Sequence, residues 1–501
     1  MRLSMAAKKG PASVATLLSV VGVALLIWLY RYASVNTFVL VFSFIVLFLV
    51  AKGIAAGWYA QAVVLVGGVA LLLATAYLLP EVAITAKSSG SPLLDVFVAV
   101  KQTFSEQAAG LGLTIMVIAG FSRYMDEIGA ADKLVELCVI PLQKVKSRYI
   151  LLGLSYAMMQ ILSLFIPSAS GLGLLMMATL YPVLRTVGCS KESVAAIIAS
   201  GVCIDFGPAA SSMIVGAEVA KVDLFGFFVY EQLPVALVMI PFIAVMHMIM
   251  LRYWDNKSAA QATTADADEK GNDPLAGKNT EKKPVPAFYA LLPAIPMFLL
   301  FIFSELSEGI LPVWLRFHVD VVSALLFSFA LSLLVDMGMT RNIKASLAKV
   351  SSLFDQMGKA FIAIVSIILC AQVLANGMMK IGVINILFNM IPTGNHTMIL
   401  TVVIFSTLIF LGSVLLGTGT TFNAFAPVAG EVAKVAGIPV ATILIPMQFA
   451  SAFGRTLSPI AGIVLAVAAI VGISPAEIVK RNIVQVGAAF VLSMLVSFIL
   501  T

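Results

Sequence analysis

The stretch SAFGRTLSPIAG, residues 451–462, places an arginine, two glycines and a proline in the middle of a long apolar segment. The apolar run VATILIPMQFA precedes it and IVLAVAAIVG follows it. A charged side chain at the centre of a bilayer costs at least ~2.5–3.5 kcal/mol on insertion scales, so Arg455 is expected to serve a purpose. Glycine and proline weaken a helix, and the segment is therefore predicted to be a broken helix over residues 440–472.

The composition of the whole chain indicates a protein that crosses a membrane several times. Of the 501 residues, 61% are hydrophobic and 11% are charged, whereas about 45–50% of a soluble domain is apolar. Apolar runs long enough to cross a hydrocarbon core of roughly 30 Å recur from end to end. A soluble all-α protein is thereby excluded.

The net charge of +6 does not indicate a nucleic-acid partner, because the lysines and arginines lie mainly in short loops between apolar runs. The four cysteines form no CxxC pair and the three histidines lie far apart in the sequence. Neither a disulfide framework nor a metal site is expected, and no cofactor is predicted.

Apolar runs bounded by charges and turn residues divide the chain into two halves. Single spans are predicted near residues 12–30, 36–52, 59–79, 108–123, 226–251, 287–307, 319–337, 358–376 and 477–500, and broken helices over 191–222 and 440–472. The segment 255–286 is charged and rich in small polar residues, which is typical of a solvated linker.

Two further apolar segments, 149–186 and 397–436, are interrupted near their middle by small polar residues. The interruptions are the tips Pro167–Gly171 and Gly417–Thr421. Arms of about 15 residues rise only about 22 Å, so each segment is predicted to be a helical hairpin that enters and leaves on one side of the membrane.

These features recur in the same order. Ile128-Gly129 precedes the first tip and Ile381-Gly382 the second, a shift of 253 residues (381 − 128), while Pro141 and Pro392 are related by a shift of 251. The two halves are therefore interpreted as diverged copies.

Each copy is predicted to hold five crossings and one re-entrant hairpin, and an odd number of crossings forces opposite orientations. The predicted fold is an all-α polytopic membrane protein built as an inverted repeat. Its parts are an N-terminal accessory helix (1–35), a first repeat (36–254), a cytoplasmic linker (255–286) and a second repeat (287–501). The distribution of basic residues favours a cytoplasmic N-terminus.

Hairpin tips and helix breaks at membrane depth expose backbone N–H and C=O groups, which must face protein or a wet cavity. Helix N-termini favour carboxylates, while unwound carbonyls and hydroxyls favour a small cation. Arg455 presents a two-pronged donor that matches a carboxylate. The alternative is a structural ion pair with Asp205, which could instead coordinate a cation or accept a proton.

An enzyme is not indicated. The sequence GSVLLGTGT near the second tip lacks the lysine that a phosphate-binding loop requires. The scattered histidines offer no nucleophile with a neighbouring base.

Four stretches carry a resemblance to a known family: GFSRYMDEIGAADKLV (120–135), SASGLGLLMMATLYPV (168–183), the GTGT tip (417–420) followed by NAFAP, and GRTLSPIAGIVLAVAAIVGISPAEIVKR (454–481). Over about residues 36–500 the chain resembles the anaerobic C4-dicarboxylate carriers of the DcuC type, within the ion-transporter superfamily. The resemblance implies a proton- or sodium-coupled carrier or exchanger of succinate, fumarate, malate or aspartate in a bacterial inner membrane. It also implies homodimers that work by an elevator-like movement.

The resemblance also implies the residues of the site. The implied substrate-binding residues are Ser168, Ala169, Ser170, Gly171, Thr418, Gly419, Thr420, Thr421, Asn423, Arg455, Thr456, Ser458 and Pro459. The implied ion-coupling residues are Asp205, Gly207, Pro208, Ser211 and Ser212, with sodium or a proton as the ion.

Two classes of alternative remain open at this point. A carrier for another organic anion, or a cation–proton antiporter, could share the same plan. A membrane sensor or assembly factor is a remote alternative, because it should carry a sizeable soluble domain and the largest polar segment is the linker.

Overall fold

The computed structural model describes residues 35–56, 58–85, 88–261, 285–303, 319–383, 386, 395–416 and 419–500. Over these residues the fold is helical, without a strand, and eight helices are long and apolar enough to cross a membrane. The predicted all-α polytopic class is confirmed. The predicted accessory helix at 12–30 lies outside the described residues.

We number the helices in chain order. They are α1 Val35–Ala55, α2 Ala60–Leu78, α3 Pro92–Glu127, α4 Ala130–Val139, α5 Arg148–Ser163, α6 Ala169–Thr186, α7 Lys191–Ser200, α8 Ser211–Ala220, α9 Leu233–Gln261, α10 Ile295–Ile302, α11 Val321–Thr340, α12 Ile343–Ile381, α13 Asn395–Leu416, α14 Thr420–Ala436, α15 Val440–Thr456, α16 Gly462–Val471 and α17 Pro475–Leu500.

The chain divides into two compact units. The first comprises residues up to Lys101 together with Val373–Pro392. Inside it α2 approaches the end of α12 so closely that a β-carbon on Gly68 would lie 2.6 Å from the backbone nitrogen of Leu374. Only glycine permits that approach.

The second unit holds both predicted hairpins and both predicted broken helices. Helices α5 and α6 form the first pair, and α13 and α14 form the second. The broken helices are α7 with α8 and α15 with α16. The order of helix pair, broken helix and long helix (α9 or α17) therefore occurs twice along the chain.

Further details recur at the spacing found in the sequence. Turns of π-helix interrupt α3 at Ala108–Gly112 and α12 at Phe361–Val365, a shift of 253 residues (361 − 108). Gly129 and Gly382 follow at the same shift (382 − 129), and both have positive φ. The recurrence of backbone irregularities supports the interpretation of diverged copies.

Two predicted helix starts and one predicted arm length are wrong. Helix α3 begins at Pro92 rather than near 108, and α12 begins at Ile343 rather than near 358. Both begin with amphipathic turns that carry charges, so the sequence lacks a purely apolar start. Arm α13 has 22 residues and at 1.5 Å per residue is about 33 Å long, longer than the predicted arm.

The predicted linker also begins too early. Helix α9 continues to Gln261, so residues 255–261 are helical rather than linker. The reason is tertiary: Asp255 Oδ1 accepts a hydrogen bond from Arg481 Nη1 of α17 at 2.8 Å. The rest of the predicted linker up to residue 284 lies outside the described residues.

Candidate functional site

The first helix break lies between Ser200, where α7 ends, and Ser211, where α8 begins. Asp205 in this break has φ = 45°, in the left-handed region that non-glycine residues rarely adopt. The Gln232 amide holds the turn: Gly207 N–H donates to its Oε1 at 3.0 Å, and its Nε2 donates to the Asp205 carbonyl at 3.1 Å. A buried side-chain amide thus replaces the helical hydrogen bonds that the break removes.

Arg455 lies at the end of α15 and bridges the two breaks. Its Nη2 donates to Asp205 Oδ1 at 2.6 Å and to the Val202 carbonyl at 2.8 Å. Its Nη1 lies 3.5 Å from Asp205 Oδ2. The two side chains are 18% and 14% exposed, so the pair is mostly enclosed by protein. The ion pair considered from the sequence is therefore present.

The second tip packs directly on this pair. A β-carbon at Gly419 would lie 3.3 Å from Arg455 Nη1 and 3.7 Å from Asp205 Oδ2. Ser451 Oγ of α15 donates to the Gly419 carbonyl at 3.1 Å and so fixes the tip to the broken helix. Backbone and side-chain polar groups from three separate segments converge here.

Several helices begin at these breaks and tips without a capping side chain. The N-cap residues of α8, α14 and α16 are Ala210, Gly419 and Ala461, none of which has a side-chain oxygen. The first-turn N–H groups of these helices therefore receive no cap from the N-cap side chain. Helix N-termini of this kind attract anions.

Three buried hydroxyl or amide oxygens near the second tip and second break have no hydrogen-bond partner among the described residues. They are Thr421 Oγ1, Asn423 Oδ1 and Ser458 Oγ. Their side chains are almost wholly inaccessible. Buried polar atoms are nearly always paired, so unpaired oxygens at a candidate site point to a ligand that they would bind.

The first tip is arranged differently. Ser168 is the N-cap of α6, and its Oγ accepts from Gly171 N–H at 3.1 Å. Ser170 Oγ lies 3.6 Å from the position of a β-carbon on Gly462, at the start of α16. The first tip therefore contacts the second broken helix, whereas the second tip contacts both broken helices.

An apolar cavity of about 40 Å³ lies beside the first tip. Pro167 of the tip and Pro208 of the first break line it, together with Pro293 and Pro296. Its walls are almost entirely apolar, so it is not the polar part of the site.

The structure brings some predicted residues together and leaves others apart. Asp205, Gly419 and Arg455 form one cluster, whereas Thr456 Oγ1 donates to the Ala452 carbonyl of its own helix at 2.9 Å. Ser212 Oγ accepts from Gln448 Nε2 at 3.1 Å. Ala169 and Ser211 are the first residues of α6 and α8, and Pro459 in the second break is exposed. Thr418 and the side chain of Thr420 lie outside the described part of the chain.

Sequence reasoning missed three residues of the site. Gln232, at the end of the π-helical turn before α9, and Gln448, inside α15, are buried amides, and Ser451 holds the second tip. A glutamine within an apolar run was the available indication, because an amide buried in a membrane helix needs a partner.

A helical membrane protein with two broken helices and an enclosed, carboxylate-matching arginine has the characteristics of a solute carrier. Comparison with known proteins agrees: a family model described as "C4-dicarboxylate anaerobic carrier" (DcuC) matches residues 35–501. The chain belongs to this family. The match begins where the resemblance predicted, and the protein is a carrier rather than an enzyme.

Curated relatives are similar over nearly their full length. The chain is 32% identical to a protein of Vibrio cholerae named "Probable anaerobic C4-dicarboxylate transporter DcuC", over 89% of this chain and 94% of that one. It is also 32% identical to the "Anaerobic C4-dicarboxylate transporter DcuC" of Escherichia coli K12, over 87% of this chain and 91% of that one. The chain is thus a multi-pass protein of the inner membrane.

Proposed function

We propose that this chain carries C4-dicarboxylates such as succinate, fumarate, malate or aspartate across a bacterial inner membrane. The observation that carries the proposal is the enclosed Arg455, held between two broken helices and covered by the Gly419 tip. Membership of the carrier family and the names of the relatives support the substrate class.

In this proposal Arg455 binds one carboxylate of the substrate. Its guanidinium has five N–H donors, and Asp205 with the Val202 carbonyl engages only its Nη atoms. The uncapped N-termini of α14 and α16 provide further N–H donors for a dianion. Ser170, whose Oγ lies beside the start of α16, binds the far end of the substrate in this proposal.

Asp205 has two roles in this proposal. It orients Arg455 when no substrate is bound, and it shares the coupling ion, a proton or sodium, with the neighbouring break residues Gly207, Pro208, Ser211 and Ser212. Unpaired oxygens on Thr421, Asn423 and Ser458 add neutral ligands of the kind that sodium accepts.

The proposal also includes the arrangement of the chain in the membrane and its movement during transport. The two copies have opposite orientations in the membrane. Both helix pairs are re-entrant hairpins, and α13, which is long enough to cross, is tilted within the second hairpin. The hairpins and broken helices move together as an elevator within a homodimer, and the N-terminus is cytoplasmic. Crosslinking and accessibility of single cysteines placed in each loop would test these statements.

The experiment that tests the function uses the purified full chain. Succinate, fumarate, malate and aspartate are compared with butyrate, which has four carbons and one carboxylate, for thermal stabilisation with and without sodium. A ligand at 100 times its Kd stabilises a folded protein by about 2.7 kcal/mol. We expect the dicarboxylates to stabilise the protein and to be taken up by proteoliposomes. Butyrate should do neither. Equal effects of butyrate and succinate would contradict the proposal.

A further inference from the structure

His247 is a buried titratable residue to which the site described above gives no role. It lies within the membrane-length helix α9, and its side chain is inaccessible to solvent. An imidazole at membrane depth is costly unless it has partners and is usually functional.

Two side chains hydrogen-bond the ring, one at each nitrogen. Ser200 Oγ, at the end of α7, lies 3.1 Å from Nε2. Gln485 Nε2, on α17, lies 3.3 Å from Nδ1. The Tyr156 ring on α5 packs beside the imidazole, with 5.0 Å between the ring centroids. Three helices thus enclose His247.

The hydrogen-bond pattern fits a neutral imidazole. The single hydroxyl hydrogen of Ser200 is donated to the Ala196 carbonyl at 2.8 Å, so Ser200 Oγ accepts from Nε2–H. The amide of Gln485 then donates to the lone pair on Nδ1. This places the ring proton on Nε2, a tautomer inferred from the partners.

Gln485 is poorly matched to this state. Besides His247, its Nε2 contacts Asn482 Oδ1 at 3.1 Å and the Arg481 carbonyl, so two amide hydrogens face three acceptors. Its Oε1 is buried and has no partner within the described ranges. A proton on Nδ1 would change the balance: rotation of the Gln485 side chain that brings Oε1 to the new N–H would move Nε2 away from Asn482 Oδ1 and the Arg481 carbonyl. His247 and Gln485 therefore form a switch with two hydrogen-bond arrangements.

The switch is connected to the first helix break. Ser200 is the last residue of α7, and the chain continues directly to Val202, whose carbonyl accepts from Arg455, and to Asp205. Rotation of the Gln485 amide would also release Asn482, whose Nδ2 donates to the Ala196 carbonyl of α7 at 3.0 Å. Protonation of Nδ1 leaves the bond between Nε2–H and Ser200 in place, so the change acts on α7 through Asn482 and the Ala196 carbonyl.

Four other titratable or charged groups lie on or next to the helices that surround His247. They are Tyr156 on α5, Cys203 after α7, Arg481 on α17 and Asp255 on α9. Arg481 is paired with Asp255, and Tyr156 O–H lies 3.2 Å from Cys203 Sγ. None of these four groups offers His247 a free carboxylate, so a proton on the ring has Gln485 Oε1 as its acceptor.

We propose that His247 binds a proton during the transport cycle, that Gln485 responds to it, and that the change is transmitted along α7 to Asp205 and Arg455. This inference rests on the proposed carrier function and names the residue through which a proton gradient acts. It assigns a function to a cluster separate from the substrate-binding residues.

The test compares two assays in proteoliposomes that contain the full chain. One is exchange of labelled succinate between equal pools at equal pH, and the other is net uptake driven by an imposed pH gradient. For His247→Gln, which cannot be protonated, we expect the ratio of driven uptake to exchange to fall at least about tenfold. An unchanged ratio would overturn the proposal.

A second pair of variants decides the matter if His247→Gln does not fold. Gln485→Glu places a carboxylate beside Nδ1, which favours the imidazolium and should raise the pH midpoint of gradient-driven uptake by about one unit or more. Gln485→Met, the uncharged control, should not raise it. Equal midpoints in the two variants would overturn the proposal.

The wild-type assays separate this inference from the carrier function. Exchange of succinate together with net uptake that is insensitive to every imposed pH gradient would overturn the role of His247 and leave the carrier function intact. Absence of exchange with all four dicarboxylates would overturn the carrier function itself.

Discussion

Arg455 Nη2 donates a hydrogen bond to Asp205 Oδ1 at 2.6 Å, and the two residues are 250 positions apart in the chain. Each lies where a helix is interrupted, so the pair joins the two breaks. Breaking an enclosed pair by removing one partner leaves an uncompensated charge, whereas removing both does not. This asymmetry separates a structural role from a ligand role.

The first prediction is a four-member cycle of wild type, Asp205→Ala, Arg455→Ala and the double variant. If Arg455 binds a substrate carboxylate, succinate binding should be lost both in Arg455→Ala and in the double variant. Affinity measured by thermal stabilisation and uptake provides the readout. Recovery of affinity in the double variant would show that Arg455 only neutralises Asp205.

A second prediction concerns the shape of the donor. Arg455→Lys keeps the positive charge but loses the planar fork that matches a carboxylate. A charge-assisted hydrogen bond contributes about 1.5–3 kcal/mol, so succinate affinity should fall on the order of 10- to 100-fold.

Arg481→Lys is the matched control for that variant. Arg481 is a buried arginine of α17 that pairs with Asp255 away from the helix breaks. The Arg481→Lys variant should have lower thermal stability without a selective loss of succinate affinity. If both variants lower stability and neither lowers affinity, Arg455 is a structural residue.

The breaks, the tips and Arg455 could be predicted because polar and helix-breaking residues within an apolar run can be recognised from the sequence alone. The roles of Gln232 and Gln448 could not, since the partner of an amide depends on which helices pack together. The early start of α12 was missed for a related reason: an amphipathic turn with charges has the same composition as a loop.

The third prediction concerns the first tip. Ser170→Leu should abolish succinate uptake, because the larger side chain fills the space in front of the start of α16. Membrane insertion should be unaffected, since leucine is favourable in lipid. Asn342→Ala is the control: it removes the N-cap of α12 and should cost about 1 kcal/mol of stability with uptake retained. Normal uptake by Ser170→Leu would show that this tip is only a packing element.

The fourth prediction corrects the extent of the linker. Deletions confined to 262–284 should leave uptake intact, because the polar composition of this segment provides little apolar surface to bury. Deletions that begin at 255 should fail, since they remove Asp255 from its pair with Arg481. Uptake by proteoliposomes, normalised to inserted protein, distinguishes the two. Equal activity of both sets would show that the end of α9 is dispensable.

The fifth prediction concerns Asp255 itself. The Arg481 side chain is 2% exposed, and its Nη1 donates to Asp255 Oδ1 at 2.8 Å and to Ser193 Oγ at 3.0 Å. Asp255→Ala should lower the free energy of unfolding by about 3–5 kcal/mol, near the lower end because Glu477 still contacts Arg481 Nε. The thermal midpoint of the purified protein measures the loss.

Two further variants make that measurement decisive. Glu136→Ala removes a carboxylate from an exposed pair with Lys133, and its effect should be at most about 1 kcal/mol. Adding Arg481→Met to Asp255→Ala should recover much of the lost stability, because it removes the unpaired charge and fills the space with an apolar side chain. If the double variant is less stable than Asp255→Ala, the cost arises from lost packing or from the bonds to Ser193 rather than from a buried unpaired charge.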